Sequence, residues 1–496
     1  MAFGGELAGR WRHGEPMKRG EHRIIVGDCL SEMAKLPAGT FHACMTSPPY
    51  FALRSYLPAG HPDKEREIGS EPTPEAFIAT MAAVFREVRR VLRDDGFLWI
   101  NLGDSYDAGG RQTNGTRDGY KQGTNAGTEG NMRSNGGVGA GQQLLMPHRV
   151  ALALQADGWV LRDTVIWSKR SPMPSSQNGV RWERCRVKVE STRRSLQPHN
   201  AATGKRDGGP GGVGLSGLPS TTWCPCPGCP KCIPTGGYVF RRGQGRTTTA
   251  HEYLFLFTKG NGYFWDMENT REPCSSTSHG GPNVVPGEKN ATLGQGTGNL
   301  GKWTADDKAS GRIPRSVWTI SSEPTKFNHF ATYPSELVRR CLMPLSPKGC
   351  CPACGAQWAP VVETERVKTR PGIESKIGTE QTESGYVVKD SQEVGNRDPW
   401  RHITSTKVIG YRPTCKCPAA EPVPCRVCDI FSGTGTTGQT ACFLGHDYVG
   451  IELNPEYAAF SDEWIGREPR WSKRQRIKAA RKAVKPCNGQ LQLTGF

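Results

Sequence analysis

The chain has 496 residues, with 64 lysines and arginines against 47 aspartates and glutamates, a formal net charge of +17 and an isoelectric point near 9.2. At this length we expect one large domain with insertions. The basic balance favours a polyanionic partner, because phosphates neutralised by a protein release their counterions. No apolar run approaches the length of a membrane span. Residues 1–20 lack the apolar segment of a signal peptide, so we expect a flexible N-terminal lead and a cytoplasmic protein.

The first informative segment is Ser47-Pro48-Pro49-Tyr50, which follows the apolar run Phe41–Thr46. The run predicts a buried strand. The two prolines fix φ and remove two backbone donors, while their carbonyl oxygens remain acceptors. The Ser47 hydroxyl adds an acceptor and the Tyr50 ring adds an aromatic face. This combination suits a planar amino group on an aromatic base; the alternative is a strand-end turn with a surface tyrosine.

Apolar periodicity predicts further elements along the chain. Helical spacing occurs in residues 84–92 and 335–342, and apolar runs at 96–104, 161–169 and 251–259 predict strands. His251, at the start of the last run, is expected to be a structural hydrogen-bonding residue. Segments rich in Gly, Ser and Asn at 107–141, 204–220 and 275–311 lack apolar periodicity and cannot bury a core, so we expect loops there.

Eighteen cysteines in a reducing compartment predict metal ligands rather than disulfides. Cys226, Cys229 and Cys232 lie in a segment of closely spaced cysteines separated by Gly and Pro, and such knuckles present thiolates to one zinc ion. Cys185 is the predicted fourth ligand, and Cys224 is the alternative.

A second knuckle, Cys351 and Cys354, predicts another zinc site with Cys415 and Cys417, closing a four-thiolate ribbon. Cys425 and Cys428 compete for that role. They are less favoured, because Cys428 directly precedes a predicted core strand, where cysteine is common as a small apolar residue. Zinc would give these loop-rich insertions the stability that they cannot obtain from a core.

Near the C-terminus, Asp429–Gly438 predicts a short strand that runs into a Gly-rich turn. Its glycines fit G-x-G-x-x-G, which lets a backbone turn tightly and approach a cofactor closely. A helix pattern follows, and then a strand ending in Glu452, whose carboxylate can accept hydrogen bonds from two ribose hydroxyls. A dehydrogenase would use the same unit, but the short chain after Glu452 and the hydroxyl-rich turn argue against that class.

These motifs resemble the amino-methyltransferases of DNA, and their order, with Ser-Pro-Pro-Tyr before the glycine turn, resembles the permuted beta group of that family. The resemblance implies an α/β fold: a Rossmann-like, S-adenosylmethionine-dependent methyltransferase sheet, circularly permuted, with Cys-rich (zinc) and Gly-rich insertions. It also implies an N-terminal strand that ends at Asp28, beside the cofactor adenine. Asp28 is equally suited to cap the following helix.

The resemblance also assigns roles to residues. The catalytic segment would be Ser47, Pro48, Pro49 and Tyr50. The segment His329–Pro334 resembles the part of the family that lines the methionine side of the cofactor. S-adenosyl-L-methionine would be held by residues of the glycine turn and the strand ends, namely Asp28, Asp429, Phe431, Ser432, Gly433, Thr434, Gly435, Thr436, Thr437, Glu452 and Asn454.

The chain thus divides into catalytic blocks and insertions. The core would comprise residues 21–106, 143–174, 237–266 and 316–346, with the cofactor-binding part at 425–466. The insertions would be a Gly-rich loop at 107–142, a Cys-rich segment at 175–236, a candidate target-recognition region at 267–315 and a second Cys-rich segment, a candidate zinc ribbon, at 347–424. The basic tail at 467–496 would contact phosphates without reading sequence.

The predicted function is a site-specific DNA methyltransferase that acts on the exocyclic amino group of a base flipped out of double-stranded DNA. In the resembled family, Ser in the first position of the tetrapeptide is typical of cytosine N4 enzymes and Asp or Asn of adenine N6 enzymes, so cytosine N4 is favoured over adenine N6. A catalytically dead, zinc-containing DNA-binding protein is a further alternative, and RNA is a less favoured substrate. A cognate restriction endonuclease is a candidate partner of this DNA-associated protein, which we expect to be bacterial or phage-encoded.

Overall fold

A computed structural model describes residues 19–52, 64–107, 137–172, 179–191, 220–243, 245–272, 312–323, 333–368 and 402–483. The chain divides into two compact units, one of residues 172–250 and one of the residues before and after them. Most of the predicted Gly-rich loop at 107–142, most of the candidate target-recognition region at 267–315, and His329 lie outside the described residues.

In chain order, the described strands are β1 His22–Val26, β2 Phe41–Thr46, β3 Leu92–Leu102, β4 Val160–Lys169, β5 Val180–Arg184, β6 Arg186–Ser191, β7 Ser220–Pro225, β8 Tyr238–Arg242, β9 His251–Thr258, β10 Val317–Ile320, β11 Trp358–Lys368, β12 His402–Pro413, β13 Arg426–Asp429 and β14 Asp447–Glu452. The helices are α1 Cys29–Ala34, α2 Pro74–Val91, α3 Met146–Ala156, α4 Met267–Thr270, α5 Ser335–Leu342, α6 Thr436–Phe443, α7 Pro455–Ile465 and α8 Arg470–Ala483. None of the described helices is long and apolar enough to span a bilayer.

Within the described part of the larger unit, eight strands form one sheet in the order β1-β14-β13-β2-β3-β9-β4-β10. Neighbouring strands are parallel except around β9, which is antiparallel to both β3 and β4. The last two strands of the sequence, β13 and β14, therefore lie between the first two, β1 and β2. This order confirms the predicted circularly permuted α/β fold.

Helices cover both faces of this sheet. Residues of α1, α2 and α3 pack in one apolar cluster, and residues of α5, α6, α7 and α8 pack in another. Helix α2 illustrates why these sequences form helices that pack on the sheet. Thr73 caps its N-terminus and Pro74 occupies its first position, while Phe77, Met81 and Val88 recur on one side and are buried. Strand β3 contributes to both clusters, because successive strand side chains point to opposite faces.

The order of the sheet reverses between β13 and β2. These strands are parallel neighbours, with Val427 opposite Ala43 and Cys428 opposite Cys44. From β13 the sheet continues to β14, and from β2 it continues to β3 in the other direction. Open α/β sheets bind ligands at such a switch point, beyond the carboxyl ends of the strands. The two predicted motifs follow these two strand ends.

Part of the predicted basic tail at 467–496 is helical, as α8 (Arg470–Ala483). Trp471 is buried, with its ring 5.5 Å from that of Phe443 and the Arg339 guanidinium 5.4 Å from its ring centroid. Beyond it, Lys473 and Arg474 are exposed. The helix is therefore attached to the core through Trp471, and Lys473 and Arg474 face solvent.

The smaller unit contains two antiparallel ribbons, β5 with β8 and β6 with β7. The sequence placed the end of this insertion at residue 236. In the structure the unit extends to Ala250, because β8 pairs with β5, and the sheet of the larger unit resumes at His251.

Candidate active site

The Ser47–Tyr50 segment is held against glycine backbone on two sides. A Cβ added at Gly69, whose φ is +99°, would lie 3.2 Å from both the Pro49 Cβ and the Tyr50 carbonyl oxygen. A Cβ added at Gly103 would lie 2.6 Å from Tyr50 Cε2. The Tyr50 ring thus lies on the backbone just beyond β3, and side chains at these two positions would displace the segment.

A polar network joins this segment to three strands. The Tyr50 hydroxyl donates to Glu252 Oε2 at 2.8 Å. Asn101 Nδ2 donates to the same carboxylate oxygen at 2.7 Å and to the Tyr50 hydroxyl at 3.0 Å, and lies 3.5 Å from Ser47 Oγ. Lys169 forms an ion pair with the other oxygen, Oε1. The network fixes the hydroxyl end of Tyr50 and places a carboxylate behind it.

Sequence reasoning missed Asn101, Lys169 and Glu252. They meet because β9 runs antiparallel, so its first residues lie at the edge where β3 and β4 end. The available signal was a glutamate at the start of an otherwise apolar strand. Its neighbour His251, predicted to be structural, lies 3.2 Å from the Tyr253 hydroxyl through Nε2.

Asp429, at the end of β13, is fully buried and supports the glycine turn. Its oxygens accept from Thr46 Oγ1 at 2.6 Å, Thr437 Oγ1 at 2.6 Å, Tyr333 Oη at 2.9 Å and the Phe431 N–H at 3.1 Å. Burial raises the pKa of this carboxyl above its usual value. The bond from Thr46 links the strand of the Ser-Pro-Pro-Tyr segment directly to the strand of the glycine turn.

The glycine turn leads into α6. Gly433 and Gly435 have φ of +52° and +78°, in the left-handed region that favours glycine. A Cβ added at Gly435 would lie 2.3 Å from Ser461 Oγ, so this glycine also permits α7 to pack closely. Gly435 is the N-cap of α6 and provides no side-chain cap. A helix N-terminus of this kind binds negatively charged groups through backbone N–H groups.

The other predicted residues of the glycine turn are buried or half-buried. Ser432 Oγ lies 2.9 Å from Tyr448 Oη, and Thr434 is buried. Phe431 and Thr436 are half-buried.

Glu452 presents a carboxylate at the end of β14. It accepts from the Gly433 N–H at 2.7 Å and the Asn454 N–H at 2.9 Å, and burial raises its pKa to about 7. The Asn454 side chain caps α7 by accepting from the Glu456 N–H. Asp28 caps α1 by accepting from the Ser31 N–H at 2.9 Å. Because Val26 lies opposite Glu452, the carboxylates of Glu452 and Asp28 belong to the same edge of the sheet.

The predicted thiol set of the smaller unit comes together. Sγ of Cys185 lies 3.8 Å from that of Cys229, which lies 3.6 Å from that of Cys232, which lies 3.9 Å from that of Cys226. Four sulfurs bound tetrahedrally to zinc at ~2.3 Å are about 3.8 Å apart. A disulfide would require about 2.05 Å. The spacing therefore fits a tetrahedral metal ion, and Cys224 is not part of the group.

The second predicted set, Cys351, Cys354, Cys415 and Cys417, also has its sulfurs within 4.8 Å of one another. Backbone N–H groups of Cys354 and Ala353 lower the pKa of Cys351 to about 7, which favours the thiolate that a metal needs. Cys425 and Cys428 are not in this set.

Cys425 instead approaches His42 and Cys350. That third group does not offer a complete ligand set, because both ring nitrogens of His42 are engaged: Nδ1 accepts from the Arg426 N–H at 2.9 Å and Nε2 lies 2.8 Å from the Gly355 carbonyl. The bond between His42 and the Gly355 carbonyl, with the one from Arg93 to the Cys354 carbonyl, attaches the second thiol set to β2 and β3.

The reversed sheet order, a carboxylate at the end of β14 and an uncapped helix N-terminus at the end of β13 define an open α/β protein whose sheet suits a nucleoside cofactor at its switch point. The family model described as DNA methylase, of the N6/N4 type, matches residues 41–350. The chain belongs to this family. The matched range contains Ser47–Tyr50 and Glu252, whereas the glycine turn follows it.

Two relatives have been named as type II methyltransferases. The chain is similar to M.XycI of Xanthomonas campestris pv. cyanopsidis, with 29% identity over 90% of this chain and 88% of the relative. It is similar to M.SmaI of Serratia marcescens, with 26% identity over 90% of this chain and 91% of the relative. Among solved structures, the PvuII DNA methyltransferase (cytosine-N4-specific) aligns over 94% of this chain and 93% of its own, with 12% identity and a TM-score of 0.40.

Proposed function

We propose that this protein transfers a methyl group from S-adenosyl-L-methionine to the exocyclic amino nitrogen of a base flipped out of duplex DNA, with cytosine N4 as the target. The observation that carries the proposal is the bond between Thr46 and Asp429, at 2.6 Å, which joins the amino-group segment to the cofactor turn at the switch point. The family membership and the two type II methyltransferase relatives support the same activity.

The residues at the ends of β1, β13 and β14 fit S-adenosylmethionine. The Glu452 carboxylate would accept hydrogen bonds from the ribose hydroxyls, with Asp28 at the neighbouring strand end. The N-terminus of α6 behind Gly435 would bind the carboxylate of the methionine part. When bound, S-adenosylmethionine supplies an electrophilic methyl group on a sulfonium centre.

The Ser47–Tyr50 segment would act on the base. The Tyr50 ring would stack on the flipped base, and Ser47 Oγ with the Pro48 carbonyl would accept the amino hydrogens. Accepting these hydrogens draws the nitrogen lone pair out of ring conjugation and aims it away from the acceptors. Catalysis then consists of positioning and electrostatic stabilisation. After transfer, the methylated nitrogen would release its extra proton to water, either directly or through the Ser47 hydroxyl.

The choice of base rests on Ser47. A serine in this position is typical of cytosine N4 enzymes of the family, and Asp or Asn is typical of adenine N6 enzymes. A hydroxyl and a carboxylate both accept hydrogen bonds, so adenine N6 is the alternative target. Identification of the methylated nucleoside distinguishes the two bases.

We further infer that each four-cysteine set binds one structural zinc ion. The sulfur spacing near Cys229 and the approach of the four sulfurs of the second set to within 4.8 Å of one another support this. Neither set belongs to the cofactor turn, so the zinc ions would stabilise the insertions and take no part in the transfer.

The proposal is tested by incubating the purified protein with duplex DNA and S-adenosylmethionine labelled in the methyl group. Incorporation of label into DNA is expected, together with calorimetric binding of S-adenosylmethionine and no binding of NAD. Cofactor binding without incorporation would restrict the protein to a non-catalytic role. NAD binding alone would restore the dehydrogenase alternative.

A further inference from the structure

The β5–β8 ribbon of the smaller unit has two chemically different faces. Its register pairs Val180 with Arg242, Trp182 with Phe240 and Arg184 with Tyr238. Because side chains alternate along a strand, these residues share one face, which we call the front face. The back face carries Arg181, Glu183, Val239 and Arg241.

The front face combines aromatic rings with cations, and all its residues are exposed. Trp182 and Phe240 retain 56% and 45% of their surface, although their rings contact each other at 5.1 Å between centroids. The Arg184 guanidinium lies 5.5 Å from the centroid of Tyr238, and that of Arg242 lies 5.9 Å from the centroid of Phe240. Large exposed aromatic surface of this kind marks an interaction site.

The charge of the ribbon is also divided between its faces. Glu183 is the only acid in the two strands, and it lies on the back face, where it forms ion pairs with Arg181 and Arg241. One carboxylate against two arginines leaves the back face a net charge of +1, whereas the front face has a net charge of +2 from Arg184 and Arg242, with no carboxylate of either strand on that face.

The four-thiol set supports the ribbon at one end. Cys185 directly follows Arg184, and its N–H donates to the Gly237 carbonyl at 2.9 Å, while the Gly237 N–H donates to the Cys232 carbonyl at 2.8 Å. These bonds continue the β5–β8 pairing into the set of sulfurs. The ribbon that carries the front face is thus joined directly to the four-thiol set.

We propose that the front face binds double-stranded DNA; this rests on the proposed function, in which duplex DNA is the substrate. The charge is complementary to phosphates, and a two-stranded ribbon has the width that the major groove admits. Arg184 and Arg242 contact backbone phosphates, and Trp182 and Phe240 contact sugar and base edges. The face adds to any reading of sequence by residues 267–315.

The test uses matched charge removal in the full-length protein. Arg184→Gln with Arg242→Gln alters the front face, and Arg181→Gln with Arg241→Gln removes the same charge from the same strands on the back face. Duplex binding is measured by fluorescence anisotropy over a range of salt concentrations. Trp182→Ala with Phe240→Ala is measured alongside, and circular dichroism, zinc content and S-adenosylmethionine binding check the fold of each variant.

Loss of two phosphate contacts should reduce the slope of log affinity against log salt by about 1.8, with affinity at low salt falling about tenfold or more for the front-face arginine variant. The back-face variant should remain much closer to wild type. The aromatic variant should bind more weakly with an unchanged salt slope, because it removes no charge.

Equal losses in the front-face and back-face variants, or unchanged duplex binding by the front-face variants, would overturn the inference. Loss of self-association in the front-face variants, with unchanged duplex binding, would assign the face to a second copy of the chain. If the wild-type protein methylates duplex DNA in these cases, the proposed function stands and only the assignment of the ribbon fails. A wild-type protein that neither binds nor methylates duplex DNA would remove both.

Discussion

The Tyr50 hydroxyl donates to the Glu252 carboxylate at 2.8 Å, although the two residues are 202 positions apart in the sequence. The same oxygen of Glu252 accepts from Asn101, and its other oxygen pairs with Lys169. Tyr50 is therefore fixed at both ends, by Gly103 beneath its ring and by a charged network at its hydroxyl. A ring held in this way is ready to stack before a base arrives.

The two functions of Tyr50 can be separated by two substitutions. Tyr50→Ala should lower kcat/KM by the stacking energy of an unpaired base, ~1–3 kcal/mol. Tyr50→Phe retains the ring and loses only the hydroxyl, so it should cost about 0.5–1.5 kcal/mol. Steady-state kinetics on duplex DNA measure both. Equal losses in the two variants would show that stacking is not the role of the ring.

The coupling of Tyr50 to Glu252 can be measured by a double-mutant cycle. Tyr50→Phe, Glu252→Gln and the double variant should give an interaction energy in the range ~0.5–3 kcal/mol for kcat/KM, because the two side chains share one hydrogen bond. Arg162→Gln, on the same strand as Lys169 and paired with Asn261, is the control and should be additive with Tyr50→Phe. Additivity of Glu252→Gln with Tyr50→Phe would contradict a functional link.

Cofactor binding should depend on pH through Glu452. Burial, with a smaller contribution from Asp429, raises the pKa of Glu452 from 4.5 to about 7. The protonated carboxyl accepts ribose hydroxyls less well, so binding the cofactor favours the ionised form and releases a proton. Affinity should therefore rise as pH increases towards 7, by at most about tenfold per pH unit, and level off above it.

The effect of Glu452 on the stability of the unliganded protein has the opposite pH dependence. The folded state holds the Glu452 proton more tightly than the unfolded chain does, so this group's contribution to stability is lost as pH rises through 7.

Titration calorimetry from pH 5.5 to 8.5 on the wild type and Glu452→Gln measures the effect on binding, at ~1.4 kcal/mol for each tenfold change. A pH dependence that persists in Glu452→Gln would assign it to another group.

Metal analysis should find one zinc ion for each four-cysteine set. Cys229→Ser should lose the zinc of the smaller unit and leave S-adenosylmethionine affinity unchanged. Cys351→Ser should lose the other ion and lower the melting temperature of the larger unit, since His42 and Arg93 attach that set to β2 and β3. Cys224→Ser is the control and should retain both ions. Absence of zinc, with all thiols freely titratable in the native protein, would defeat the inference.

Elements with local signals could be predicted from the sequence. The predicted last strand does end at Glu452, and the predicted helix at 335–342 spans Ser335–Leu342. Both thiol sets contain the predicted residues, because Cys-x-x-Cys spacing brings two thiols of each set close together. One strand differs from the prediction. It was expected at the start of Asp429–Gly438 but ends at Asp429, because Phe431 already belongs to the turn and its N–H donates to the Asp429 side chain.

Contacts created by the topology could not be predicted in the same way. Glu252 approaches Tyr50 only because β9 is antiparallel between two parallel strands, and nothing near Glu252 in the sequence indicates that. The pairing of β8 with β5 likewise moved the end of the smaller unit to Ala250. That the segment His329–Pro334 lines the methionine side of the cofactor stays a prediction. The structure shows Tyr333 buried, donating to Asp429 beneath the turn.

The central claim is that Ser47–Tyr50 directs methyl transfer to a base amino group, and the product nucleoside tests it most directly. Duplex DNA incubated with the protein and S-adenosylmethionine is digested to nucleosides and analysed by mass spectrometry, with Ser47→Ala as the matched variant. We expect N4-methyl-deoxycytidine from the wild type, and a large loss of product from Ser47→Ala with little change in cofactor affinity. Detection of N6-methyl-deoxyadenosine instead would show that adenine N6, and not cytosine N4, is the target. Undiminished product from Ser47→Ala, or no methylated amino group in either nucleoside, would contradict the account.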